Sequence, residues 1–174
     1  MLEHKFYSKE LLNAKDAAII PIENNAFDAY YPYGNKIECL AHIPNDVLFV
    51  YFDTDTLILD ELMDVPFDFD HSRASNKVEG TWPEIELYGP GYTQNWKSLY
   101  DRFGFDFDSS MDLSQPDEYW RRYLYFNSGY FYHRDAHEFG KRFLHYSCDI
   151  RDNPSPETKC LELNPWLDQV PCPF

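Results

Sequence analysis

The sequence predicts an α/β domain built on a mostly parallel sheet flanked by helices, and three observations lead there. Val47-Leu-Phe-Val-Tyr-Phe52 is an uninterrupted apolar run behind the turn-like Pro44-Asn45-Asp46, the pattern of a strand buried on both faces inside a sheet. Ile37, Leu40 and Ala41, just upstream, recur at the spacing of one helix face, and an apolar Ala17–Ile22 precedes them, so the order is strand, helix, strand, which favours parallel pairing. The chain has 174 residues, 44% of them hydrophobic and 18% aromatic, enough for one packed domain with a real core.

In order, Ser8 caps a short helix to Lys15, and Ala17–Ile22 is a strand closed by proline. An aromatic loop from Phe27 to Tyr33 leads through Gly34 into the helix Asn35–His42 and then the Val47 strand, which Asp60–Met63 leaves as a short turn. Residues 65–116 are punctuated by Pro83, Gly89-Pro90-Gly91 and Gly104, so loops and short elements are expected around one helix at Asn95–Phe103. A segment this long and irregular is expected to act as a lid or binding region, with Trp82, Tyr92 and Trp96 as ligand-stacking faces or core. A second strand enters at Glu118–Phe126, breaks at Asn127-Ser128-Gly129 and resumes at Tyr130–Tyr132, and Asp135 caps a helix to about Tyr146. There is no internal repeat.

Thirty acidic residues against 15 basic ones leave a formal charge of −15, a field that repels phosphate backbones and anionic membranes and argues against nucleic acid as a partner. Such a surface suits a site in which a divalent ion locally reverses the field for an anionic substrate. Cys39, Cys148, Cys160 and Cys172 have no zinc spacing; free thiols are expected, with a Cys148–Cys160 bridge the alternative. The N-terminus lacks an apolar signal core, no run approaches the length of a membrane span, and a cytoplasmic protein is the expectation.

The chemistry concentrates where the Val47 strand ends. Asp53 and Asp55 flank Thr54, and in extended chain they point to one side, where their oxygens can share a hard cation. Asp68/Asp70 and Asp106/Asp108 repeat the spacing, but each alternates with phenylalanine as a half-buried edge does, so those carboxylates are read as solvated. His133 and His137 lack a partner at metal spacing and are read as surface or packing residues. Two enzyme classes place Asp-x-Asp after a buried strand. In haloacid-dehalogenase-like phosphatases the first Asp is a nucleophile, but Leu57 stands where that pattern needs Thr or Val.

The second class fits more of the chain. Asn35-Lys-Ile-Glu-Cys-Leu40, the Val47–Leu59 stretch with Asp53-Thr-Asp55, Phe126-Asn-Ser-Gly129 and Leu167-Asp-Gln169 stand in an order that resembles the GT-A-type nucleotide-sugar glycosyltransferases of the glycogenin-like, family 8-like retaining group. The resemblance implies a metal-dependent hexosyltransferase that uses a nucleoside diphosphate sugar, a UDP-sugar first, and a saccharide or other hydroxyl acceptor. It implies Mn²⁺ or Mg²⁺ on Asp53 and Asp55; Lys36, Thr54, Asn127, Ser128 and Gly129 around the donor; and Asp168 and Gln169 beside the transferred sugar. It further implies one domain over residues 1–174, truncated at both ends, with the nucleotide-binding part incomplete and a His metal ligand beyond the last residue. An inactive remnant that binds sugar or a partner is the non-enzymatic alternative.

Overall fold

The computed structural model describes residues 18–23, 25–27, 31–76 and 82–172, so the helix expected from Ser8 lies outside the described residues. Residues 18–22 carry no regular structure, and Ile19 and Ile20 are largely exposed, so the strand expected there does not form. The helix α1 (Gly34–Cys39) runs on into a 3₁₀ turn at Leu40–His42, and its predicted apolar face is buried through Ile37 and Leu40.

Among the described residues three strands form one sheet: β1 (Phe49–Phe52), β2 (Arg73–Asn76) and β3 (Phe126–His133), in the order β1-β3-β2. Both pairings are antiparallel, Phe49 opposite His133 and Phe52 opposite Tyr130 on one side, Arg73 opposite Tyr132 on the other. The strand–helix–strand unit that favoured parallel pairing lacks its first strand among the described residues. β1 is also an edge strand here, half-buried at all four residues, whereas the sequence pointed to a strand buried on both faces. Its apolar residues pack on both faces: Tyr51 stacks on Phe131 at 4.7 Å and Phe49 packs against Phe131 and Phe139, while Phe52 on the opposite face lies 5.2 Å from Tyr130.

The central strand is β3, and it does not break at Asn127–Gly129. The register against β2 jumps instead, from Ala74 opposite Phe131 to Ser75 opposite Asn127, so the residues between bulge within a continuous strand. Phe67 and Phe69 pack on Tyr132 while Asp68 and Asp70 face solvent, as the alternation predicted; Asp106 and Asp108 are likewise exposed on either side of buried Phe107, but Phe105 is exposed too.

Among the described residues, two further helices frame the sheet. In α2 (Tyr92–Phe103) Trp96 and Leu99 are fully buried, and the helix stops at Gly104, whose φ of 75° suits glycine at a C-terminal cap. Trp82 lies against Tyr125 at 4.1 Å and Trp96 at 4.8 Å, with Tyr92 beside it, so of the two roles open to these aromatics, stacking face or core, they take the core one. In α3 (Ala136–Asp152) the Asp135 side chain accepts from Glu138 N at 2.9 Å, the predicted N-cap. Gly140 brings α3 against the turn after α1: a Cβ there would sit 2.4 Å from Ala41 N and 2.5 Å from Leu40 C. His137 reaches Ile43 O, and His133 packs on Phe139, both structural roles. All four cysteines are free, so the Cys148–Cys160 bridge is absent. Among the described residues no helix is long and apolar enough to cross a membrane.

Candidate active site

β1 delivers Asp53 to the bulge of β3, where Asp53 N donates to Gly129 O at 2.9 Å. The chain then turns at once, Thr56 N donating to Asp53 O at 3.0 Å. Asp53 is therefore half-buried while Thr54 and Asp55 are exposed on the turn, and the extended geometry expected to aim both carboxylates one way is replaced by a reversal. Asp55 makes no hydrogen bond or ion pair among the described residues, so its carboxylate remains open to a ligand.

α1 inserts Lys36 beneath this turn. Its ammonium, on a side chain only 8% exposed, lies 2.9 Å from Asp53 Oδ1, 2.9 Å from Asp168 Oδ2 and 3.1 Å from Ser128 Oγ. Ser128 Oγ donates to the same Asp168 oxygen at 2.5 Å. An ammonium has three donors, and here each has a partner. Burial alone would lower the Lys36 pKa, but Asp168 and then Asp53 outweigh it and hold the ammonium above its usual range. Four segments remote in sequence thus meet at one buried cation.

Two tyrosines close the cluster. Tyr51 donates to Asp53 Oδ1 at 2.9 Å, and its ring lies 5.7 Å beneath the Lys36 nitrogen. The Tyr31 hydroxyl accepts from Asp168 N at 2.9 Å and donates to Pro165 O at 3.0 Å. Burial first, then the adjoining carboxylates, push both phenols above their ordinary range, so they stay neutral and donate. Neither was foreseen. Tyr51 was legible, since two residues before Asp53 in a strand means the same side; Tyr31, in an aromatic loop with no periodicity, gave no signal.

The remaining predicted residues divide. Asn127 Oδ1 accepts from Gly129 N at 2.8 Å and so shapes the bulge. A Cβ on Gly129 would crowd that amide oxygen at 2.9 Å and approach Asp53 Oδ2 at 3.4 Å, which is the close approach glycine permits. Gln169 is 7% exposed, and its Oε1 has no hydrogen-bond partner among the described residues. A buried acceptor left unpaired costs about 1–3 kcal/mol, a deficit that a ligand hydroxyl can cancel. Next to this cluster lies an open cleft of about 610 Å³ lined by Asn25, Phe27, Tyr31, Arg151, Asn164 and Leu167, sharing Tyr31 with Asp168. Amides, a guanidinium and aromatic faces are the groups that hold polyhydroxylated ligands.

Among the described residues no three His, Cys, Asp or Glu side chains gather as a metal cluster. Asp55 is free to ligate, but both oxygens of Asp53 are taken by Lys36 and Tyr51. The donor set is two hard carboxylates on one turn, which suits Mn²⁺ or Mg²⁺ completed by water and substrate phosphate, provided Lys36 yields Asp53.

Neither a search of curated proteins nor one of solved structures found a significant match. A family model, described as the Rhodobacterales glycosyltransferase domain, matches residues 4–174, nearly the whole chain. The chain with this buried Lys36–Asp53–Ser128–Asp168 cluster belongs to that glycosyltransferase domain family.

Proposed function

We propose that the chain transfers a hexosyl group from a nucleoside diphosphate sugar, a UDP-sugar first, to a hydroxyl of a saccharide or similar acceptor, with Mn²⁺ or Mg²⁺ at Asp53 and Asp55. Membership in a glycosyltransferase domain family supports glycosyl transfer as the class of reaction. The finer reading is carried by one observation: Lys36, Asp53, Ser128 and Asp168, each from a different motif of the resemblance, converge within hydrogen-bond distance of one nitrogen. The fold reading belongs to the same proposal, with β1, β3 and the helices beside them as the site-bearing part of a GT-A-like α/β domain.

A bound divalent ion would act as a Lewis acid on the diphosphate as it leaves. The rest falls to the chain. In the reaction the bond from the anomeric carbon to the diphosphate oxygen breaks, the acceptor oxygen bonds to that carbon, and the acceptor's proton leaves with the diphosphate. Asp168, fixed by Lys36, Ser128 and Tyr31, presents a rigid carboxylate to the sugar hydroxyls, and Gln169 Oε1 accepts from one of them. The cleft beside Tyr31 receives the acceptor, its apolar rings excluding water from the donor.

The test is release of UDP, GDP or CMP from a panel of nucleotide sugars by the full chain, with and without Mn²⁺. Mn²⁺-dependent release from UDP-sugars is expected, reduced on the order of 100-fold or more in Asp53→Asn. Phosphate release from monoesters through an aspartyl-phosphate at Asp53 would overturn the reading in favour of the phosphatase.

A further inference from the structure

We propose that Lys36 is a resident cation holding the metal's place at Asp53, so that metal and nucleoside diphosphate bind as a coupled pair and the metal alone binds weakly. This rests on the metal-dependent reading above. The Lys36 ammonium touches both oxygens of Asp53, at 2.9 and 3.1 Å, and Tyr51 holds Oδ1 at 2.9 Å. A divalent ion arriving alone therefore meets one free carboxylate, Asp55, and a second already neutralised by a positive charge that repels it. It also meets no third protein ligand among the described residues.

A nucleoside diphosphate changes this balance. Its phosphate oxygens offer the ammonium a new acceptor, so Lys36 can exchange Asp53 for phosphate while keeping Asp168 and Ser128. Asp53 is then released to bind metal beside Asp55. The lysine stays charged throughout, and Asp168, at 3% exposure, never loses its counter-ion. The exchange needs only a short swing of the lysine tip, because its other two partners stay fixed. Each ligand thereby raises the other's affinity by the same factor.

Mn²⁺ binding, followed by loss of the free-ion paramagnetic resonance signal, tests this without any turnover. Wild-type chain should bind Mn²⁺ roughly tenfold or more tighter with UDP present than without it. Lys36→Met removes the resident cation, and Lys36→Met with Asp168→Asn also removes the stranded buried charge, which protects folding. Against a protein-free UDP reference, that double variant should bind Mn²⁺ alone roughly tenfold or more tighter than wild type and show a smaller enhancement by UDP, the remainder being direct coordination of the metal by phosphate. Asp53→Asn should abolish the difference. Equal wild-type affinity with and without UDP, a double variant that binds no tighter than wild type, or no Mn²⁺ binding in any case would each overturn the proposal. Absence of sugar transfer alongside the expected Mn²⁺ behaviour would instead defeat the hexosyltransferase reading and leave this coupling standing.

Discussion

At the scale of single residues, the cluster is strong because every member is engaged and fragile because it is buried. Removing one partner of a buried ion pair strands the other, at about 3–5 kcal/mol. Lys36→Met should therefore lower unfolding stability by that amount in urea melts, and adding Asp168→Asn should restore most of it, because the stranded charge is gone; a double variant as unstable as the single would show that lysine packing, not charge, sets the loss. The positions of Lys36, Asp53, Ser128, Gly129, Asp168 and Gln169 were legible as motifs. Their mutual geometry was not: side-chain period in a strand says nothing once the chain turns at Thr56, so Asp53 and Asp55 divide between the interior and solvent. Nor could the motifs show that Lys36, usually a solvated charge on a short helix, sits beneath the turn with all three donors used.

Among elements, α3 sets the position of α1 and hence of Lys36. At Gly140 the α3 backbone passes close to the turn that follows α1. Helix propensity alone would make Gly140→Ala stabilising by up to about 1 kcal/mol. The contact with Ala41 N and Leu40 C forecasts the opposite sign, a loss of about 1–3 kcal/mol from overpacking, with reduced donor affinity as α1 shifts. Thermal unfolding decides between the two. The helices were legible because their cues are local: Asp135 as cap, the apolar face of α1, and Asn95–Phe103 within α2. The sheet was less so. Pairing depends on partners far away in sequence, β2 is a polar Arg-Ala-Ser-Asn with no strand pattern, and apolar runs mark burial whether a strand lies central or at an edge. Trp82, Tyr92 and Trp96 likewise read equally as stacking faces or core until Tyr125, Tyr123 and Ile150 arrive from elsewhere to enclose them.

For the whole molecule, the buried protons set a boundary in pH. Tyr31 and Tyr51 are raised above 10.0, by burial and then by the nearby carboxylates, and Lys36, whose pairing with Asp168 and Asp53 outweighs its burial, is raised above 10.5. Each group holds its proton more tightly folded than unfolded, so its contribution is complete below those values and is lost as pH rises past them. Denaturation midpoints should stay level in this respect up to about pH 9 and fall steeply above pH 10, and Tyr51→Phe should soften the fall. The convergence at Lys36 also has a consequence for how the chain folds. The ammonium meets Asp53 across 17 residues but Asp168 across 132, and closing the longer loop carries about 2 kcal/mol of extra chain entropy. The helices and the β1–α1 pair can form early from nearby partners, whereas the last contact waits for residues 165–170 to dock. In refolding kinetics, then, competence to bind UDP should emerge with the slowest phase, after most helical signal has returned, so ligand binding serves as a clock for completion of the chain.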